Sequence, residues 1–171
     1  PDHLDRYDYK LENYADSKFR IIRNQQPEDL FIYCADDPVT VQGLEKHHPI
    51  AKMLPFSIVK HVEPGAYLTS NNEIVINIPH QDTFTMDINE LSLQGKHNVY
   101  NNMASGLVAK AQELRNATMK ESMGSFKNIP HRLEFVACIA GVNYINDSKA
   151  TNVNAVWYAL ESLAPQVVLI M

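Results

Sequence analysis

The chain has 171 residues, of which 45% are apolar and 20% charged, and its formal charge is −5. That is enough chain for one good-sized domain or two small or incomplete ones, with the composition of a globular protein. The mild acidic balance and the lack of a basic run argue against nucleic acid as a partner, and no apolar stretch approaches the ~18 residues of a membrane span.

The opening "PDHLDRYDYK" has no apolar core of the kind a secretory signal carries. Asp8 is then expected to cap a helix running to about Asn24. Leu11, Ala15, Lys18 and Ile22 fall on one face of it, so Lys18 lies in the apolar stripe. "LFIYCA" (Leu30 to Ala35) reads as a buried strand. "DDPVTVQGLEKHH" reads as a helix with Asp37 as N-cap and Pro38 in its first turn, and with His47 and His48 exposed at its end. From Ser57 to Leu93 the period changes to two. "SIVKHVE", "AYLTS", "EIVINI" and "TFTMDI" are strand-like, and "SNNE" (Ser70 to Glu73) signals a hairpin turn in a small antiparallel insertion.

"LQGKHNVYNN" leads into a helix with Tyr100, Met103, Leu107, Ala111 and Leu114 on one face. Thr118 with Glu121 has the spacing of a capping box opening a further helix that ends near Phe126. Residues 126–136, interrupted by Pro130, read as a boundary, so the chain divides into 1–128 and 129–171. Leu133 to Ile139 and Val142 to Asn146 form a strand pair around Ala140 and Gly141. A helix carrying Val153, Val156, Trp157, Leu160 and Leu163 follows and ends at Pro165, and "QVVLIM" reads as a buried strand. Strands alternating with helices at this spacing indicate an α/β fold. Both ends read as cut: the chain starts at Pro1 without a methionine and stops inside an apolar strand.

Cys34 and Cys138 sit inside apolar runs without metal-type spacing and read as buried free thiols, which points to the cytoplasm. No G-x-x-x-x-G-K-[ST], G-x-S-x-G, H-E-x-x-H or C-x-x-C pattern occurs, so a phosphate loop, serine catalysis and thiol redox chemistry have no support.

Two places carry candidate chemistry. In "GVNYINDSKATN" (Gly141 to Asn152) a strand ends in Asp147, Ser148, Lys149 and Thr151 just before a helix. A helix N-terminus favours anions, Lys149 adds a mobile positive charge, and Asp147 at a strand's carboxyl end can accept bonds from sugar hydroxyls. A nucleotide or a carboxylate fits that set; so does a solvated loop in which Thr151 or Asn152 simply caps the helix. Lys18 either extends its ammonium past the apolar stripe to water or is held inward for function. His3, beside Asp2 and Asp5, is a weak cation-site signal by itself.

Four motifs, in order, resemble the Mur ligases of peptidoglycan synthesis: "DHLDRY" (Asp2 to Tyr7), "GKHNVYN" (Gly95 to Asn101), "HRLE" (His131 to Glu134) and "NDSKATN" (Asn146 to Asn152). The last is most like the D-glutamate-adding branch. The resemblance implies the back part of a central ATPase domain (parallel strands with helices and a small antiparallel insertion) followed by the start of a Rossmann-like C-terminal domain. It places the phosphate loop upstream of Pro1 and much of the D-glutamate pocket beyond Met171. It implies ATP and Mg²⁺, with UDP-N-acetylmuramoyl-L-alanine and D-glutamate joined through an acyl phosphate. His3 then matches a magnesium ligand and Lys18 a lysine that CO₂ converts to a metal-holding carbamate. Asn98 and Asn101 match residues near the adenine, Arg132 one that reaches the ATP phosphates, and Asp147 the acid that holds the ribose. Lys149 and Thr151 match contacts to the reacting intermediate and the incoming glutamate. The 171 residues alone are expected to be inactive. The alternatives are another Mur-type or folylpolyglutamate-type ligase, or a non-catalytic binding module.

Overall fold

The computed structural model describes residues 4–127, 129–163 and 166–170. Five strands form one mixed sheet in sequence order: β1 (Leu30–Cys34), β2 (Lys52–Ser57), β3 (Gly65–Leu68), β4 (Glu73–Asn77) and β5 (Phe84–Asp87). β1, β2 and β3 run parallel, and β3, β4 and β5 antiparallel. The antiparallel strands are therefore continuous with the parallel ones. The expected turn at Ser70–Glu73 joins β3 to β4, with Asn72 at φ 62° and the Thr69 amide donating to Glu73 O at 2.9 Å.

Helix α1 (Leu11–Phe19) leads to α2 (Pro38–His47); α3 (Lys96–Ala111) and α4 (Asn116–Ser125) follow the sheet. The apolar face of α3 lies across β1 to β4. Met103 and Leu107 there are wholly buried with Ile74, Ile76 and Phe84 from the sheet, and Met119 and Met123 of α4 close the core. That is the face the period of 3.6 predicts, although Leu114 lies beyond the helix and is exposed. β6 (Glu134–Ile139) and β7 (Val142–Asn146) then form a separate antiparallel hairpin, followed by α5 (Val153–Glu161). Ala140 and Gly141 turn this hairpin with φ of 51° and 81°, the positive values of a tight two-residue connection.

Several expectations change. α1 is shorter than expected and continues only as a 3-10 turn, Arg20–Ile22; Asp8, at φ 55°, does not cap it. Its packed side is not the Leu11–Lys18 stripe. Phe19 is the buried residue, because α1 docks sideways on α2 with its ring over Gly43 and stacked 4.9 Å from His47. His47 is accordingly half-buried, and its Nε2 pairs with Asp16 at 2.9 Å. β1 is only partly buried, since it lies at the sheet edge. β2 replaces the strand expected from Ser57 onward. α4 begins at Asn116, which places Thr118 inside the helix rather than at its cap. Cys34 is partly exposed and Cys138 exposed, the latter because the β6–β7 hairpin has no covering layer among the described residues. Residues 166–170 form no strand and are exposed, with no neighbouring strand to pair them among the described residues; Pro165 and Met171 lie outside those residues.

Candidate functional site

The polar junction that ends β7 is held against the chain entering β6. Leu133 N–H donates to Asp147 Oδ1 at 3.1 Å, and the Lys149 amide donates to His131 O at 3.1 Å. Asn146 Nδ2 lies 2.8 Å from His131 Nδ1 and 3.3 Å from Glu134 Oε2, which also accepts from the His131 amide at 2.8 Å. His131 and Leu133, at φ 68° and 44°, flank Arg132. Left-handed backbone at non-glycine residues is costly and tends to persist at functional sites. This web brings "HRLE" and "NDSKATN" together although 14 positions separate the bonded Leu133 and Asp147.

Lys149 and Thr151 are exposed in the loop before α5, and Asp147 is half-buried. Asn152 caps α5, its Oδ1 accepting from the Ala155 amide at 2.9 Å. Of the two caps expected in the solvated-loop reading, Thr151 and Asn152, the structure has Asn152, and Lys149 and Thr151 face solvent.

Asn98 and Asn101 lie in the first two turns of α3, entered through Gly95 at φ 101°. Asn98 Nδ2 donates to Gln94 O at 2.8 Å, and Asn101 Nδ2 lies 3.5 Å from Asn98 Oδ1. Asn101 also lines an open cleft of about 650 Å³ between α3 and the β1 side of the sheet, with Phe31, Tyr33, Cys34, Thr40 and Val108. The first turn of α3 meets α5 through His97 and Tyr158, whose rings are 5.9 Å apart. The asparagines and the junction loop are thus on elements that touch.

Lys18 does not join them. It is exposed, with its ammonium 5.2 Å from the centre of the Tyr14 ring. His3 lies outside the described residues. Among the described residues no three His, Cys, Asp or Glu side chains converge to hold a metal.

Sequence reasoning missed Asp36. Its Oδ1 accepts from Ser57 Oγ at 2.6 Å, and its Oδ2 from the Ile58 amide at 2.8 Å and the Tyr100 hydroxyl at 3.0 Å. Partial burial acts to raise this carboxyl, but the bonds from Ser57, Ile58 and Tyr100 outweigh it and hold it below the ordinary value. Burial, then the Asp36 bond, push the Tyr100 phenol well above its usual range. The available signal was the doubled aspartate of "ADDP", where one suffices to cap a helix.

Residues 1–109 match the Mur ligase middle domain. The chain belongs to the Mur ligase family. Three similar proteins are each named UDP-N-acetylmuramoylalanine–D-glutamate ligase. They come from Christiangramia forsetii (55% identical), Porphyromonas gingivalis (49%) and Bacteroides thetaiotaomicron (45%). Each is matched over 100% of this chain, which spans only 38% of the relative's length. Solved Mur-type ligases share the fold at low identity. MurF from Acinetobacter baumannii aligns with a TM-score of 0.65 at 19% identity, over 88% of this chain and 32% of its own. A pseudomurein peptide ligase type C from Methanothermus fervidus aligns with a TM-score of 0.66 at 17% identity, over 92% and 38%. In Mur ligase terms, the family match runs from before α1 to within the last turn of α3 and stops before the β6–β7 hairpin, where the second group of candidate residues lies.

Proposed function

We propose that these 171 residues belong to a longer ATP-dependent ligase that joins D-glutamate to UDP-N-acetylmuramoyl-L-alanine in peptidoglycan precursor synthesis. The observation that carries this reading is the 45–55% identity, over the whole chain, to proteins bearing that name. ATP supplies the activating phosphoryl group. The substrate carboxylate takes the γ-phosphoryl group and ADP leaves, the amine of D-glutamate attacks the carbonyl carbon of the resulting acyl phosphate and loses a proton, and phosphate departs.

The chain's own residues act by placement and charge. Asn98 and Asn101 present amides from the start of α3 to the adenine. Asp147 has one oxygen committed to Leu133 N–H, and the other would accept from a ribose hydroxyl. Arg132, on the strained loop facing that aspartate's bond, meets the phosphates. Lys149 and Thr151 meet the developing negative charge and the incoming amino acid from the N-terminal end of α5, whose dipole adds in the same sense. In the complete enzyme His3 and a carboxylated Lys18 are the proposed metal-holding groups, and the site is cytoplasmic.

The test is phosphate release by the full-length polypeptide with ATP, Mg²⁺ and UDP-N-acetylmuramoyl-L-alanine across a panel of amino acids. Release with D-glutamate alone supports the reading. Release only with another amino acid moves the protein to a different branch of the family, and none at all from a folded protein leaves a binding module.

A further inference from the structure

Asp36 stands just past β1, where the ends of β1 and β2 and the start of α3 come together. Ser57, wholly buried at the end of β2, donates to it and accepts from the amides of Val59 and Lys60 at 3.1 and 2.9 Å. The chain leaving β2 is thus wrapped around one hydroxyl and one carboxylate. From the other side comes Tyr100, its ring edge-on to Phe56 with centroids 6.2 Å apart and its hydroxyl on the same carboxylate. Tyr100 sits between Asn98 and Asn101 on α3, whereas Asp36 is 64 positions away in sequence.

We propose that Asp36 is a positioning residue for nucleotide binding, acting through Tyr100 to fix the turn of α3 that presents Asn98 and Asn101. This rests on the reading of those asparagines as adenine contacts. The apolar face of α3 fixes how deep the helix lies, but apolar packing leaves rotation and sliding soft. A directed bond to a charged acceptor resists both, and it is stronger than a neutral one. The lowered Asp36 carboxyl and the raised Tyr100 phenol keep this pair as carboxylate and phenol across neutral pH. The hydroxyl adds a constraint the ring alone does not supply: it ties the helix to the strand ends.

The experiment compares Tyr100→Phe, Asp36→Asn and Asn101→Ala in the full-length ligase, measuring the KM of each substrate and the unfolding temperature. Tyr100→Phe keeps the ring on Phe56 and tests the bond without threatening the fold. It is expected to raise the KM for ATP roughly 5- to 10-fold, part of what a bond to a charged group is worth, with the KM for D-glutamate unmoved. Asp36→Asn should raise it at least as much, and the double variant no more than Asp36→Asn, because both act through one contact. If Asn101→Ala raises the KM for ATP and Tyr100→Phe does not, Asp36 only holds the fold and the proposal fails. If Asn101→Ala and Asn98→Ala leave that KM unchanged, the nucleotide reading of α3 itself is wrong.

Discussion

Gly65 faces the carbonyl of Pro55 so closely that a methyl group on it would lie 2.3 Å from the oxygen. The contact joins the start of β3 to β2 where the two begin to pair in parallel, and Gly65 holds φ at +148°. Gly65→Ala adds both a backbone clash and an unfavourable backbone angle. It is expected to cost roughly 2–4 kcal/mol, seen as a lower urea midpoint with an unchanged slope. A midpoint equal to that of the parent chain would show that β2 and β3 can separate freely.

Lys110 is 4% exposed, and its ammonium donates to Asn116 Oδ1 at 3.1 Å. Asn116 also donates to Thr83 O at 3.0 Å, so one amide links the end of α3 to the loop before β5. Asn116→Ala strands a buried cation and should destabilise by about 1–3 kcal/mol. Adding Lys110→Met should recover part of that loss, because the methionine fills the stem's volume without needing a partner. Chemical denaturation of the two singles and the double measures the coupling, and strict additivity would contradict it.

Acid should weaken the fold partly through Asp36. Its folded-state value is depressed, so its contribution is present above the ordinary carboxylate value and is lost as pH falls through the depressed one. The stability gap between the parent chain and Asp36→Asn is therefore expected to be widest near neutrality and to close below about pH 4. Tyr100 has the opposite sign. Its raised value gives a contribution complete below about pH 10 and lost only in stronger base. Urea unfolding from pH 3 to 8 tests the first limb, and a gap that widens toward acid would refute it.

One pair of variants separates the bond that Asp147 makes from the nucleotide contact proposed for it. Asp147→Asn keeps an oxygen for Leu133 N–H but removes the charge; Asp147→Ala removes both. In the full-length enzyme, Asp147→Asn should raise the KM for ATP about tenfold with little change in unfolding temperature, while Asp147→Ala should also lower stability by about 1 kcal/mol. Equal kinetics for Asp147→Asn and the parent enzyme would remove Asp147 from the nucleotide site.

The elements legible in the sequence are those whose signals are local. The cap at Asp37, the buried stripe of α3, the turn at Ala140–Gly141 and the cap at Asn152 each lie within a few residues of what they organise. β2, which carries Pro55, lies ahead of the strand expected from Ser57. β2 tolerates the proline because pairing with β3 begins only at Phe56, so no partner there needs the missing N–H. Lys18 stayed open between water and the interior because a helical wheel shows which residues share a face but not which face is covered; α2 covers the Phe19 side, and Lys18 is exposed. Asp36 was missed because its meaning lies in Tyr100, and no periodicity connects residues so far apart. The web around Asp147 was legible only as two separate motifs.

The β6–β7 hairpin has a consequence for how the second group of residues is kept level. Pairing counted back from Ala140 and Gly141 sets Glu134 opposite Asn146, with one irregularity between Phe135 and Ala137. The tight turn thus works as the zero mark of a ruler, and Leu133 and Asp147 are graduations at its far end. Lengthening the turn by a single residue would shift one scale against the other and turn alternate side chains to the wrong side, parting Asp147 from Leu133 without touching either. The register of Leu133 with Asp147 is written at the opposite end of the hairpin from the bond it sets.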